Sequence, residues 1–160
     1  MDMSGKFVRL DIKDRASLME ACELLHDARC CLSTVEFDRN VGSWKASFDR
    51  EFLEDPDLIE SQPRLLIFAK RTYPFVSSEF VLKGLASYDL ADNADIGTYT
   101  FNVCRIIGSS YEFWFNEGMK MILRFKDKPR GELRDLKVLP TKGSCYVFRN
   151  PFTSLFTVRS

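Results

Sequence analysis

The spacing of apolar residues changes period once, near residue 30, and that change organises the chain. Before it, Leu18, Ala21, Cys22, Leu25 and Ala28 recur at intervals of three and four, with Arg15, Glu20, Glu23 and Asp27 between them. Such a stripe predicts an amphipathic helix. We place it at 14–29, because the Asp14 carboxylate can cap the free amides of the first turn and neither proline nor glycine follows for fifteen residues. Ahead of it, residues 6–12, KFVRLDI, alternate apolar and charged side chains and predict a short strand.

After residue 30 the period is two. Val35 and Phe37 alternate with Thr34, Glu36 and Asp38, while Trp44, Ala46 and Phe48 alternate with Lys45, Ser47 and Asp49. The Arg39-Asn40-Val41-Gly42 stretch between them carries turn residues, so the two runs predict a hairpin. Residues 50–63 are acid-rich and bracketed by Pro56 and Pro63, which predicts a surface loop with one helical turn after Pro56. A second hairpin is expected from 65–70 and 80–85, linked through Tyr73-Pro74, with 85–88 extending its later strand and 89–97 forming a loop. The segments 99–105, 111–115 and 119–125, joined by turns at Gly108 and Gly118, predict a three-stranded meander. Pro129, Gly131, Pro140 and Gly143 then predict a loop over 127–144 with one short element at 136–139, before closing strands at 145–148 and 154–158.

The expected fold class is therefore α+β, mainly β: one N-terminal amphipathic helix packed on an antiparallel meander sheet, bent into a sandwich or partly closed barrel. A length of 160 residues suits a single domain over 1–160, and 14 phenylalanines suit the half-buried surfaces of a sheet. The helix pattern Leu18, Ala21, Leu24-Leu25-His26-Asp27-Ala28, followed by Phe37, Trp44, Phe48 and Arg50, resembles small uncharacterised bacterial proteins that open with a helix before antiparallel hairpins. That resemblance covers the helix and first hairpin; it implies a fold and no function.

Charge and cysteine content narrow the setting. The start of the chain carries Asp2 where a secretory signal wants bases, and five cysteines, two of them adjacent, make a poor disulfide framework. Both point to a reducing, cytoplasmic location. Charges such as Glu112, Glu117, Lys120 and Arg124 interrupt every apolar run, so no membrane span is expected. Net charge is zero, yet residues 1–63 hold 14 acids against 8 bases and residues 64–160 hold 9 acids against 15 bases. Opposed segments within one fold or across a dimer account for that asymmetry.

The candidate chemistry is sparse. His26, the one histidine, lies four residues from both Cys22 and Cys30, a spacing that sets three soft ligands along one side of a helix and makes Cys22, His26 and Cys30 the candidate metal set. Cys22 also belongs to the apolar stripe, and buried thiols beside a helix-flank histidine are the simpler reading, so no metal or cofactor is expected. Cys30 or Cys31 with His26 is the one visible nucleophile and base pairing, although a thiolate at a helix C-terminus faces the negative end of the dipole. G-x-S-x-G, P-loop, G-x-G-x-x-G and H-E-x-x-H signatures are absent. Asp89, Asp92 and Asp95 lack the glycine and terminal glutamate of an EF-hand loop and read as a solvated turn.

The strongest surface feature is basic. Lys120, Arg124, Lys126, Lys128, Arg130, Arg134, Lys137 and Lys142 face only Asp127, Glu132 and Asp135 in the same stretch, and are the candidates for binding a nucleic-acid phosphate backbone or an anionic membrane surface. No aromatic residue interleaves between Phe125 and Tyr146, so a solvated, pairing-resistant edge is favoured. Three functional readings follow. The first is a non-enzymatic binding or interaction module with a protein partner or a second copy, since Tyr111, Trp114, Tyr146, Phe152 and Phe156 exceed the needs of one small core. The second is a carrier of an apolar ligand inside a barrel lined by Phe101, Phe113, Phe115, Met121 and Phe125. The third is a cysteine-dependent enzyme.

Overall fold

The structure is a computed structural model that describes the backbone of residues 7–51, 59–65, 68–149 and 155–158, and the side chains of 7–51 and 74–140. Strand β1 (Arg9–Ile12) leads into helix α1 (Arg15–Leu24). The helix starts where the sequence predicts: the Asp14 carboxylate accepts the Ser17 N–H at 2.9 Å, and the Ser17 hydroxyl accepts the Asp14 N–H at 3.1 Å, a reciprocal capping box. It ends earlier than position 29. Asp27 turns the chain at φ 66° and donates its N–H to the Phe101 carbonyl at 2.9 Å, while the Phe101 N–H returns a bond to Ala28 O at 2.8 Å. Leu25 and Ala28 stay buried, so the apolar stripe is satisfied by a turn as well as by a helix, and pairing with a distant strand decides between them.

Strand β2 (Arg29–Cys31) follows, then a single 3-10 turn (Leu32–Thr34), β3 (Glu36–Asp38) and β4 (Ser43–Glu51). The predicted hairpin is present, with Phe37 opposite Trp44. Next come β5 (Ile59–Leu65), β6 (Phe68–Asp92), β7 (Thr98–Ile107), β8 (Ser110–Phe115), β9 (Met119–Arg149) and β10 (Leu155–Val158). The meander β7-β8-β9 matches expectation, with Cys104 opposite Phe113 and Phe113 opposite Met121.

Four segments differ from the sequence reading. The loop expected over 50–63 gives way to strand at both ends, since β4 runs to Glu51 and β5 begins at Ile59; residues 52–58, with the helical turn expected after Pro56, lie outside the described residues. Tyr73-Pro74 is not a connection but lies within β6, because the inward alternation of Val76, Ser78, Phe80 and Leu82 continues from a buried Pro74. The loop expected at 89–97 shrinks because β6 continues to Asp92. Most consequentially, 127–144 is strand throughout: Pro129 and Gly131 take inward positions of β9, which β6 and β1 flank as well as β8. A proline or glycine breaks a strand only where the ladder needs its N–H or its side chain.

The chain divides into two compact units. The first, Met1–Arg50 with Ser77–Lys137, holds a closed barrel in which β9-β8-β7-β2-β4-β6 are successive neighbours and β6 pairs back to β9. This antiparallel, mainly β fold with one helix is the class expected. Trp44, Phe48, Phe80, Phe101 and Phe113 are at most 1% exposed and fill the interior. Trp44 meets Phe80 edge-on at 5.6 Å, Phe101 meets Phe113 edge-on at 5.7 Å, and Phe80 stacks on Phe113 at 6.0 Å. Each such side chain contributes roughly 1.5–3 kcal/mol of burial, plus about 0.5–1.5 kcal/mol where rings meet in these geometries. An eight-stranded barrel is just wide enough to be filled by side chains, so six strands leave a narrower interior that these rings occupy. In the second unit, Glu51–Val76 with Val138–Ser160, β5 pairs antiparallel with the first residues of β6 and β10 with the last residues of β9, Leu155 opposite Arg149.

Candidate anion-binding face on strand β9

Converting 127–144 from loop to strand changes what the basic residues can do. Along β9, Met119, Met121, Leu123, Pro129, Leu133 and Asp135 are buried, all at odd positions. Lys120, Arg124, Lys126, Lys128, Arg130 and Arg134 are all even, and a strand sends alternate side chains to opposite faces. Six of the eight candidate bases therefore share the outer face of one strand. Lys137, at an odd position, is exposed, and the Lys142 side chain lies outside the described residues although its backbone belongs to β9.

Their electrostatic state varies along the strand. Arg134 is committed: it donates to Glu79 at 2.9 Å, and Lys45 holds the other Glu79 oxygen at 3.2 Å. Burial works against the Glu79 charge, but bonds from Arg134 and Lys45 outweigh it and lower its pKa. Arg124 with Asp89 at 3.6 Å and Arg130 with Asp127 at 3.9 Å are solvent-exposed pairs that cost little to exchange. Lys126, Lys128 and Lys137 have no acidic partner within 4 Å among the described residues.

At the Lys120 end, an aromatic residue joins the face from the next strand. Trp114 lies opposite Lys120 in the β8–β9 register and is partly exposed. Its indole N–H donates to Glu112 Oε2 at 2.9 Å, Lys120 pairs with Glu112 Oε1 at 3.7 Å, and the Lys120 and Arg105 cations lie 4.9 and 4.7 Å from the ring centroid. Sequence reading counts Trp114 among surplus aromatics; its parity against Phe113 and Phe115 is the signal that sets it on the outer face.

Behind the stripe, the inward side of β9 carries a buried ion pair. Asp135, with a side chain 1% exposed, accepts from Arg50 Nε at 3.0 Å, Ser78 Oγ at 2.6 Å and the Val8 N–H at 2.9 Å, and also meets Arg50 Nη2. Burial opposes its ionisation, yet these donors prevail and hold its carboxyl below the usual range. The Asp135 N–H donates to Val8 O, so the cluster ties β9 to the segment entering β1. Four donors saturate the carboxylate, which makes it a structural anchor.

The other candidates are dispersed. Cys22 lies on the buried face of α1, Cys30 is wholly buried on β2, and His26 sits in the exposed turn with Nδ1 2.7 Å from Asn102 O. No three His, Cys, Asp or Glu side chains gather as metal ligands among the described residues. A groove of about 420 Å³ between α1 and β7 does bring Cys22 and His26 together with Cys104 and Met19. Contact with Cys104 and burial push the Cys22 thiol well up, and burial pushes Cys30 up to about 12. Cys31 differs, since the Ser33 hydroxyl 3.0 Å away lowers its pKa. Asp92 organises its own turn, accepting from Ala94 and Asp95 N–H at 3.1 Å and from Tyr99 OH at 2.5 Å.

Of the aromatics set aside for self-association, Tyr111 packs edge-on against Phe125 at 5.5 Å beside its own core. Phe152, and the side chains of Tyr146 and Phe156, lie outside the described residues. No helix among the described residues is long and apolar enough to cross a membrane. Comparison with protein-family models, with curated proteins and with solved structures finds no match.

Proposed function

We propose that this chain is a non-enzymatic binding module whose outer β9 face takes a phosphate-bearing polyanion. The observation that carries this reading is the parity of Lys120, Arg124, Lys126, Lys128, Arg130 and Arg134 on a continuous strand. A loop would scatter those charges; a strand sets Arg124, Lys126, Lys128 and Arg130 ~6.6 Å apart along one line, with Lys120 and Arg134 on the same face beyond Ile122 and Glu132. The pattern suits a linear array of negative charge, and the ion pairs at Arg124 and Arg130 are exposed enough to be exchanged for phosphates.

The alternatives draw less support. A carrier is compatible with a closed barrel, but the interior rings pack on one another at 5.6–6.0 Å. A thiol enzyme would need His26 free to serve Cys30 or Cys31, whereas its Nδ1 meets Asn102 O and the Cys31 thiol meets Ser33.

The direct test is binding of inorganic polyphosphate by the full chain across a salt series. Affinity should fall steeply as salt rises, and the triple variant Lys126→Gln, Lys128→Gln, Arg130→Gln should abolish it without lowering the melting temperature. Absence of binding at low salt, or binding indifferent to the triple variant, would remove the β9 face from consideration.

A further inference from the structure

We propose that the polyanion is a single-stranded nucleic acid, with Trp114 as the platform on which one base stacks at the Lys120 end of the β9 stripe. This rests on the polyanion reading of the same face. Two further observations carry it.

The first is spacing. Arg124, Lys126, Lys128 and Arg130 follow one another every ~6.6 Å in one row. A backbone drawn out straight sets successive phosphates along such a row, whereas each strand of a duplex rises only ~3.4 Å per phosphate along the axis and winds around it. A cation array of that pitch fits a backbone drawn out with its bases unstacked better than it fits duplex. Unstacked bases need another surface to cover them.

The second is the indole. Trp114 is partly exposed, stands in register with Lys120, and is held in orientation by its N–H bond to Glu112 at 2.9 Å. Arg105 and Lys120 hold their cations 4.7 and 4.9 Å from its centroid, so the ring is flanked by two charges able to leave it for a phosphate. A base lying on the indole takes over the ring contact that a cation gives up, and that cation then meets the phosphate beside the base. Aromatic platform and cationic track are the two parts that sequence-tolerant single-strand binding requires. A vesicle surface would use the charges and an interfacial indole as well, so an anionic vesicle is included in the test as the competing ligand.

The test exploits the two tryptophans, of which Trp44 is wholly buried. Oligo(dT) and oligo(U) should quench the intrinsic emission of the full chain at low salt, and the two arms show whether the sugar matters. With about four phosphates neutralised, at Arg124, Lys126, Lys128 and Arg130, affinity should drop about 50-fold between 50 and 200 mM salt. By anisotropy of a labelled oligonucleotide, Trp114→Leu should bind about tenfold more weakly, and Trp114→Phe should lie between it and the parent. Both variants should bind polyphosphate as the parent does, which also verifies their folding. If polyphosphate binds while the oligonucleotides fail to quench, or while both variants keep full oligonucleotide affinity, the nucleic-acid proposal falls and the polyanion reading stands. Preference for phosphatidylserine vesicles over oligonucleotides also overturns it. If polyphosphate itself fails to bind, both fall together.

Discussion

Gly131 stands where β9 passes β6 to close the barrel, opposite Ile12 of β1, and its replacement by alanine tests that closure. A Cβ built there overlaps the Val81 carbonyl oxygen and stands 2.9 Å from its carbon and 3.0 Å from Leu82 Cα. All three neighbours are backbone, so no flexible side chain can move aside and the strands themselves must part. Overpacking of this kind costs about 1–3 kcal/mol, and losing one or two ladder hydrogen bonds adds about 1 kcal/mol each, so the expected loss is about 2–5 kcal/mol. For a chain of this size that lowers the melting temperature by roughly 4–20 °C, at about 2–4 °C per kcal/mol. Gly84→Ala is the control. Gly84 has φ 74°, and no atom lies within 4 Å of the position its Cβ would take, so alanine there incurs only the left-handed backbone strain, about 1–2 kcal/mol. Urea unfolding of both variants, with unchanged m values, gives the comparison. If Gly131→Ala is no less stable than Gly84→Ala, β6 and β9 do not approach as described and the barrel is not closed at that point.

Two further outcomes concern titratable groups. Asp135→Asn removes one partner of a buried pair and should cost about 3–5 kcal/mol at neutral pH. The lower end is expected, since the Arg50 side chain keeps 11% exposure. Because the folded pKa of Asp135 is depressed, its contribution is complete above the unfolded value near 3.9 and is lost as pH falls below that towards the folded value. The variant should therefore show a shallower acid limb in stability against pH; an unchanged limb would show that Asp135 is not the group responsible. Among the described cysteines, a thiol reagent at pH 8 should label Cys31 first, since Ser33 favours its thiolate, while burial holds Cys22 and Cys30 back. Time-resolved peptide mass spectrometry checks this, and equal labelling of Cys30 and Cys31 in the folded protein would contradict it.

Local pattern by itself determined a good part of this protein. Side-chain period is a property of neighbouring residues, so the helix over Leu18 to Cys22, its Asp14 cap, the Phe37–Trp44 hairpin and the β7-β8-β9 meander could all be read from spacing. Pattern also exposed the basic run from Lys120 onwards. It misplaced the breaks, because proline and glycine are tolerated wherever a neighbouring strand does not require their N–H or their side chain, and that depends on partners far along the chain. Pro74 is buried within β6, and Gly131 permits the close passage of Val81. Only the tertiary structure could decide that Ala28 bonds to Phe101 and so ends the helix turn early, and that β6 returns to β9 and closes the barrel. It also decided the character of the candidate face. Continuity of β9 through Pro129 and Gly131 aligns six bases that a loop would have dispersed, and strand register brings Trp114 to Lys120. The aromatic partner missing from the basic segment stands on the adjacent strand, where linear sequence has no means of showing it.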